Sequence, residues 1–393
     1  MKDVYLVSAA RTGIGAYGGS LKGQKPGELG ALVASAAIER AGVDAARIGN
    51  VVFGTVLYTE PRDAYVARIT GLGAGVSHET PALTVNRLCG SGMQAIVTAA
   101  QAILLGDNDL GLAGGTEVMS RAPYFAQGVR WGQKMGDAAL VDGLTGALTD
   151  PFNAIHMGVT AENVADRFSV SRADQDALAF ESQRRASQAI ADGRFADQIV
   201  PIEVQVGRKT DMFAVDEYVR HGAKLQDFQK LRPVFKKADG TVTAGNSSGI
   251  NDGAAAVILA GETAVKEQAL KPLARLVSYG HAGVDPAFMG IGPVPATRRA
   301  LANAQIGVGD LDVIESNEAF AAQACAVSRE LGLDPTRVNP NGSGISLGHP
   351  IGATGAIIVT KLIYELHRVE GRYGLATMCI GGGQGIATVW ERV

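Results

Sequence analysis

A chain of 393 residues, 46% apolar and 19% charged, is too long for one small core and has room for two or three well-buried domains. Its formal net charge of −3, from 36 Lys and Arg against 39 Asp and Glu, gives no global attraction to nucleic acid or to an anionic membrane. Three cysteines, odd in number and far apart, argue against a disulfide framework and for a reducing, cytoplasmic setting. Met1-Lys2-Asp3 runs straight into the strand-like Val4-Tyr5-Leu6-Val7, so no secretory signal is expected. No apolar run is expected to reach the ~18 residues of a membrane span. Glycine is abundant, at 51 residues, which calls for tight turns or close backbone approaches.

In chain order, residues 4–8 read as a strand. A helix follows, opened by Pro26 and closed by Gly42, with Leu29, Leu32, Val33, Ala36 and Ala37 on one face. Ile48 to Phe53 is the next strand. Ala82 to Leu88 is strand-like and ends at Cys89-Gly90-Ser91-Gly92. The helix beyond it carries Met93, Ile96, Val97, Ala100, Ile103 and Leu104 at helical spacing and stops at Gly106. Leu110 to Ala113 is a further strand. This alternation predicts an α/β layered architecture.

Residues 119–249 differ in composition and look inserted, with aromatic and basic loops (Arg121-Ala122-Pro123-Tyr124, Arg130-Trp131) and a helix capped by Ser171. Asn251-Asp252-Gly253 followed by Ala254 to Ala260 is a buried-strand signal that completes the first half. The pattern then repeats. Arg275 to Ser278 resembles the opening strand, and Asp312 to Ser316 tracks Gly49 to Phe53. Val338-Asn339 before Gly342-Ser343-Gly344 echoes Val85-Asn86 before Gly90-Ser91-Gly92, and the helix from about Ala353 to Leu366 matches the one after Cys89. Ile386 to Trp390 is the closing strand. The expected units are 1–118 plus 250–270, 119–249 and 271–393.

Cys89 sits where a strand hands over to a helix. Unpaired amides and the macrodipole there favour an anion, so a stabilised thiolate nucleophile is expected. Taken alone, such a cysteine reads more readily as a small core residue in a turn. His349, in Gly348-His349-Pro350-Ile351-Gly352, is held by a constrained backbone and suits a base that takes the thiol proton; by itself it could be a satisfied loop histidine. Cys379 closes the strand-like Leu375 to Met378 and opens Gly381-Gly382-Gly383, whose exposed amides could hold an oxyanion. Asn317, in Asn317-Glu318-Ala319-Phe320, either positions a water or carbonyl or caps the run Ala319 to Glu330. Cys325 reads as packing. Gly13-Ile14-Gly15-Ala16-Tyr17-Gly18 matches a dinucleotide loop but is not followed at once by a helix. The histidines lack metal-ligand spacing, so no metal is expected.

Together, Asn86-Arg87-Leu88-Cys89-Gly90-Ser91-Gly92, Asn317-Glu318-Ala319-Phe320, Gly348-His349-Pro350-Ile351-Gly352 and Cys379-Ile380-Gly381-Gly382-Gly383 resemble the thiolase family across the whole chain. The likeness is to short bacterial biosynthetic thiolases, acetyl-CoA acetyltransferases and β-ketothiolases that feed polyhydroxyalkanoate synthesis. It implies two similar α/β halves, each a five-stranded sheet, stacked in five layers (αβαβα) with an inserted loop domain. It implies Cys89 as acyl-thioester nucleophile and His349 as its activator. His349 also contributes, with a water held by Asn317, to an oxyanion hole. Cys379 becomes the group that moves the α-proton, and the amides of Cys89 and Gly381 a second oxyanion hole. Coenzyme A and acyl-CoA are implied as substrates, with no permanently bound cofactor. Their contacts would be His156, Met157, Arg220, Ala244 and Ser248, with Phe235, Ala319 and Phe320 lining the channel. Arg208, Lys209, Arg220 and Lys224 offer cations for the nucleotide phosphates. A homotetramer, a dimer of dimers tethered by Arg121 to Gly136, is also implied. Ser316 and Ser247 stand where apolar residues are usual. Two rivals stay open: a ketoacyl-synthase-type condensing enzyme, against which Cys379 argues, and a non-catalytic CoA- or lipid-binding protein on the same scaffold.

Overall fold

The structure, a computed structural model, is described over residues 3–393, so Met1 and Lys2 of the expected non-secretory N-terminus lie outside the described residues. In the first half, β1 (Val4–Arg11) leads to α1 (Pro26–Ala41), where Pro26 occupies the first turn and Gly42 caps the end in the left-handed region. Then come β2 (Asn50–Gly54), β3 (Ala82–Val85), α2 (Ser91–Leu105) and β4 (Leu110–Val118). In the intervening stretch, α3 (Met157–Arg167) and α4 (Arg172–Ala191) are the long helices, and Ser171 with Asp174 forms a reciprocal capping box on α4. Strand β5 (Asn251–Gly261) returns to the sheet.

The second half follows as β6 (Ala274–Gly283), α5 (Pro293–Ala304), β7 (Leu311–Ser316), α6 (Ala321–Leu331), α7 (Thr354–Arg368), β8 (Tyr373–Ile380) and β9 (Gln384–Arg392). Among the described residues the strands run β7-β8-β9-β6-β1-β5-β4-β2-β3. The first half is thus β3-β2-β4-β5-β1, and the second repeats that order with β7, β8, β9 and β6. The equivalent of β3 is reduced to one parallel bridge, Ile314 to Val338. Five strands were expected there. Arg337 N donates instead to Asp334 O, and Ser316 N is taken by the Asn339 side chain, so the pairing stops after one residue. Among the described residues the halves meet edge to edge through two residue pairs, Tyr5 with Arg275 and Leu6 with Ala274.

Three apolar clusters define five layers. One places α1 on the outer face of the first sheet, through Leu29, Val33 and Ala37 against Val51, Phe53 and Ile258. A second places α5 and Val327 of α6 on the outer face of the second, against Leu311, Leu375 and Val389. Between the sheets lie α2 and α7, whose Met93, Ile96, Ile357 and Leu362 share one core with residues of both halves. Here one expectation is corrected: the 18-residue window Leu88–Leu105 is long and apolar enough to cross a membrane by length and composition. Its reason lies in packing, since α2 fills the middle layer and needs apolar residues on most of its surface.

The crossing of α2 and α7 is close at their N-terminal ends. A Cβ on Gly92 would lie 2.8 Å from Ala356 N and 3.1 Å from Ala353 O, and one on Gly355 would strike the Met93 backbone. Alanine normally suits a helix interior better than glycine by about 1 kcal/mol. At Gly355 the clash is with backbone, which cannot rotate away, so overpacking should win. Gly355→Ala is expected to destabilise the fold by about 1–3 kcal/mol, read as a lower midpoint in urea. A midpoint equal to or above that of the parent would show that the helices do not need this contact.

Candidate active site

The turn before α2 carries Cys89. Leu88 there adopts φ 45°, a left-handed conformation that costs a non-glycine residue about 1–2 kcal/mol. Asn86 Oδ1 accepts from Leu88 N at 2.9 Å, and Ser91 Oγ accepts from Arg87 N at 2.9 Å and donates to Leu88 O at 2.6 Å. These bonds over-determine the turn. Gly90 lets the strand carrying Cys379 come near, because a Cβ there would lie 2.5 Å from the Ile380 side chain.

His349 precedes α7 as Cys89 precedes α2, so the helix crossing carries both toward one place. Its backbone N donates to Asn251 Oδ1 at 3.0 Å. The ring's tautomer follows from its partners. Thr354 Oγ1 has one hydrogen, used on Pro350 O at 2.9 Å, so it accepts from His349 Nδ1 at 2.7 Å. Nε2 is then the lone-pair nitrogen, and Asn317 Nδ2 lies 3.5 Å from it. Asn317 is not a helix cap: α6 begins at Ala321 with Phe320 before it. Its Oδ1 is buried without a protein partner.

Cys89, His349 and Cys379 line one cavity of about 470 Å³. Burial pushes the Cys89 thiol up to about 11, against the pull of the N–H groups of Gly381 and of Cys89 itself, which point at its sulfur. The expected standing thiolate is therefore corrected, because loss of hydration outweighs those donors. Burial and the nearby Cys89 sulfur push Cys379 upward. Burial lowers His349 to about 4, so it is a neutral base at pH 7.

The same cavity gathers His156, Met157, Phe235, Ala244, Ser248, Ala319, Phe320 and Gly381. His156 caps α3, accepting from Gly158 N at 3.0 Å, and stacks on Phe235 with ring centroids 4.8 Å apart; Phe320 meets Phe235 edge-on at 6.5 Å. Ser248 N donates to Ala319 O at 2.9 Å, which fixes that wall. Arg220 lies in a neighbouring depression, its guanidinium 5.9 Å from the ring of Tyr218, which does line the main cavity. Arg208, Lys209 and Lys224 are not brought to the described lining. Ser247 reaches the cavity with its hydroxyl bonded to Thr243 O, whereas Ser316 Oγ is buried without a partner in a separate cavity. Cys325 packs in an apolar cluster beneath α3. The dinucleotide-like glycines form no helix N-terminus; Gly15–Ala16 pairs with Asn251 and Asp252 of β5.

Sequence reasoning missed Thr354, Asn251, Met289 and Glu117. Thr354 follows Pro350 by four residues, a spacing that could have flagged its hydroxyl; Asn251 was read only as the start of a strand.

Two thiols and a neutral imidazole in one apolar cavity are groups suited to acyl transfer between thioesters. The chain matches the thiolase N-terminal domain over residues 4–263 and the thiolase C-terminal domain over 270–392. It is 64% identical to the beta-ketothiolase BktB of Cupriavidus necator and 48% identical to an acetyl-CoA acetyltransferase of Paracoccus denitrificans, with all of each chain covered in both cases. Human mitochondrial 3-ketoacyl-CoA thiolase superposes with a TM-score of 0.97 at 47% identity, covering 100% of this chain and 99% of that one. Its complex with CoA gives a TM-score of 0.96 at 47% identity, with 100% and 98% covered. The chain belongs to the thiolase family and is an acyltransferase.

Because His349 resists protonation until pH nears 4, the acid limb of Cys89 acylation should lie near there, well below the 6.5 of an ordinary imidazole. A single-turnover pH profile with acetyl-CoA checks this, and a limb centred near 6.5 would contradict it. The same depression removes stability as pH falls from 6.5 toward 4, since only the unfolded chain takes up the proton in that window. Thr354→Val, which loses the Nδ1 acceptor, should slow acylation roughly 10- to 100-fold, with Thr354→Ser restoring most of it.

Proposed function

We propose that this chain is an acetyl-CoA C-acyltransferase, a β-ketothiolase that reversibly joins two acyl-CoA molecules into a 3-oxoacyl-CoA and coenzyme A. Short-chain substrates such as acetoacetyl-CoA suit it, in keeping with its likeness to the bacterial beta-ketothiolase and acetyl-CoA acetyltransferases. The observation that carries the reading is the convergence of Cys89, His349 and Cys379 on one cavity.

In this scheme His349 Nε2 takes the Cys89 proton as the sulfur attacks the first thioester, and passes it to the departing coenzyme A sulfur. The developing oxyanion is held by His349 Nε2–H and by a water on Asn317, whose buried Oδ1 has no protein partner. Cys379, as thiolate, removes the α-proton of the second acyl-CoA. The carbanion attacks the Cys89 acyl group, and the proton returns to the Cys89 sulfur as it leaves. The amides of Cys89 and Gly381 hold the second oxyanion. His156, Met157, Phe235, Ala244, Ser248, Ala319 and Phe320 contact the pantetheine and acyl parts, and Arg220 beside Tyr218 serves the nucleotide end.

Residues 1–118 with 250–270, and 271–393, act as the two halves, and 119–249 as the coenzyme-binding unit. The buried pair Arg11–Asp216, at 2.7 Å, fastens that unit to β1. Two sulfurs at the reaction centre favour a reducing, cytoplasmic setting. Labelled acetyl-CoA without an acceptor should load one acyl group per chain, and Cys89→Ala should load none; loading that survives the substitution defeats the scheme. Thiolysis rates across 3-oxoacyl-CoA lengths set the preferred chain.

A homotetramer forms in this reading through the hairpin Tyr124–Ala126 with Leu140–Asp142 and its tip. Trp131 and Met135 there are 87% and 93% exposed, beside exposed Tyr124, Phe125 and Leu140, an apolar display that calls for a partner surface. Light scattering should give a tetramer's mass, reduced by replacing Trp131 and Met135 with Ser; a single chain's mass for the parent ends the idea.

A further inference from the structure

Glu117, near the end of β4, is fully buried. Its three partners are backbone N–H groups from two separate segments. Oε2 accepts from Val56 N at 3.0 Å and from Gly352 N at 2.9 Å, while Oε1 accepts from Leu57 N at 3.1 Å. Val56 and Leu57 follow β2 and share an apolar cluster with Cys89. Gly352 lies between His349 and Thr354, the residue that orients the His349 ring. One carboxylate therefore ties the wall beside the nucleophile to the loop that carries the base, across the join between the halves. Asn251 grips the same loop at its other end, through His349 N.

Three converging N–H groups explain the residue type. A carboxylate accepts at both oxygens, whereas a Gln would turn its NH2 toward one of the donors. A neutral carboxyl would likewise present a proton where only donors face it. The ionisable groups felt by this site are Asp252 and Cys89. Burial and, less strongly, Asp252 push Glu117 up to about 8, while the three N–H groups pull it down, so at pH 9 it carries its charge.

We infer that Glu117 is a positioning residue for acyl transfer: through its three N–H partners it holds the His349 loop in register with the wall beside Cys89. The inference rests on the roles proposed above for Cys89 and His349. It needs two properties of one side chain, reach and charge, and two substitutions take them apart. Glu117→Gln keeps the shape and loses the charge. Glu117→Asp keeps the charge and falls one methylene short.

The test compares parent, E117Q and E117D at pH 9. It measures thiolysis of acetoacetyl-CoA, alkylation of free Cys89 by iodoacetamide with the modified residue located by mass spectrometry, and thermal midpoint. E117Q and E117D should each lose roughly 10- to 100-fold in kcat with KM changed by less than about threefold, while alkylation of Cys89, which needs no base in register, stays within about threefold of the parent's. A role in folding alone would lower the midpoint and change kcat and KM together, so a KM that rises in step with the loss of kcat overturns the inference. Parent-like turnover in either variant overturns it too, and E117D carries the decision if E117Q does not fold. Acetyl label on the parent separates the two levels. If it lands on Cys89, such results sink the role of Glu117 alone; if it lands elsewhere, the site reading falls and this inference with it.

Discussion

Everything at the reaction centre depends on how closely two helices cross. The N-terminal ends of α2 and α7 approach until Gly92 and Gly355 leave no room for a side chain. Cys89 and His349 each stand just before one of those helices, so the crossing sets their separation without any contact between the two side chains having to enforce it. Each helix sits in a core shared by both sheets. A rigid interior of this kind transmits small displacements rather than absorbing them, which makes the approach a constraint on chemistry as well as on packing.

The same burial decides the protonation states. A helix N-terminus favours a thiolate and an exposed imidazole favours a proton, which together would suggest a standing thiolate–imidazolium pair. In the folded chain desolvation acts on both groups in the opposite sense, raising Cys89 to about 11 and lowering His349 to about 4. The resting pair is neutral on both sides. Under the proposed scheme charge develops only as a substrate arrives, beside the amides that face the Cys89 sulfur and the His349–Asn317 pair. An apolar cavity that keeps the resting thiol protonated also protects it from stray electrophiles and oxidation, which act on the thiolate.

Much of this was legible in the sequence because it depends on local signals. Pro26 and Gly42 mark α1, Ser171 marks α4, and the handover at Cys89-Gly90-Ser91-Gly92 marks the nucleophile's turn, each within a few residues of its physical cause. Cys89, His349, Cys379 and the channel residues meet in one cavity as their motifs implied. What stayed hidden depends on long-range contact or on solvation. Nothing adjacent to Glu117 tells that its carboxylate meets Gly352, 235 residues away. Asn251 likewise grips His349 N from 98 residues away. The pKa of Cys89 depends on how completely distant segments wrap it, so the local helix argument pointed the wrong way. Arg208, Lys209 and Lys224 do not line that cavity, and no local signal in the sequence tells which way such surface segments face.

The duplication explains how a symmetric scaffold supports asymmetric chemistry. Leu88 and Asn339 occupy corresponding turns and share a left-handed backbone, at φ 45° and 47°. In the first half the turn ends in a sulfur at the mouth of α2. In the second, Asn339 turns inward: its Oδ1 accepts from Ser316 N at 2.9 Å, and its Nδ2 donates to Ser316 O at 2.8 Å and Glu318 Oε1 at 3.0 Å. The strained turn is thereby used to hold the segment on either side of Asn317. One copy presents Cys89, and the other braces the amide that faces His349. Since both copies keep the same strand order around the paired helices, divergence at a few turn residues suffices to give the two halves different tasks while the crossing that joins them stays unchanged.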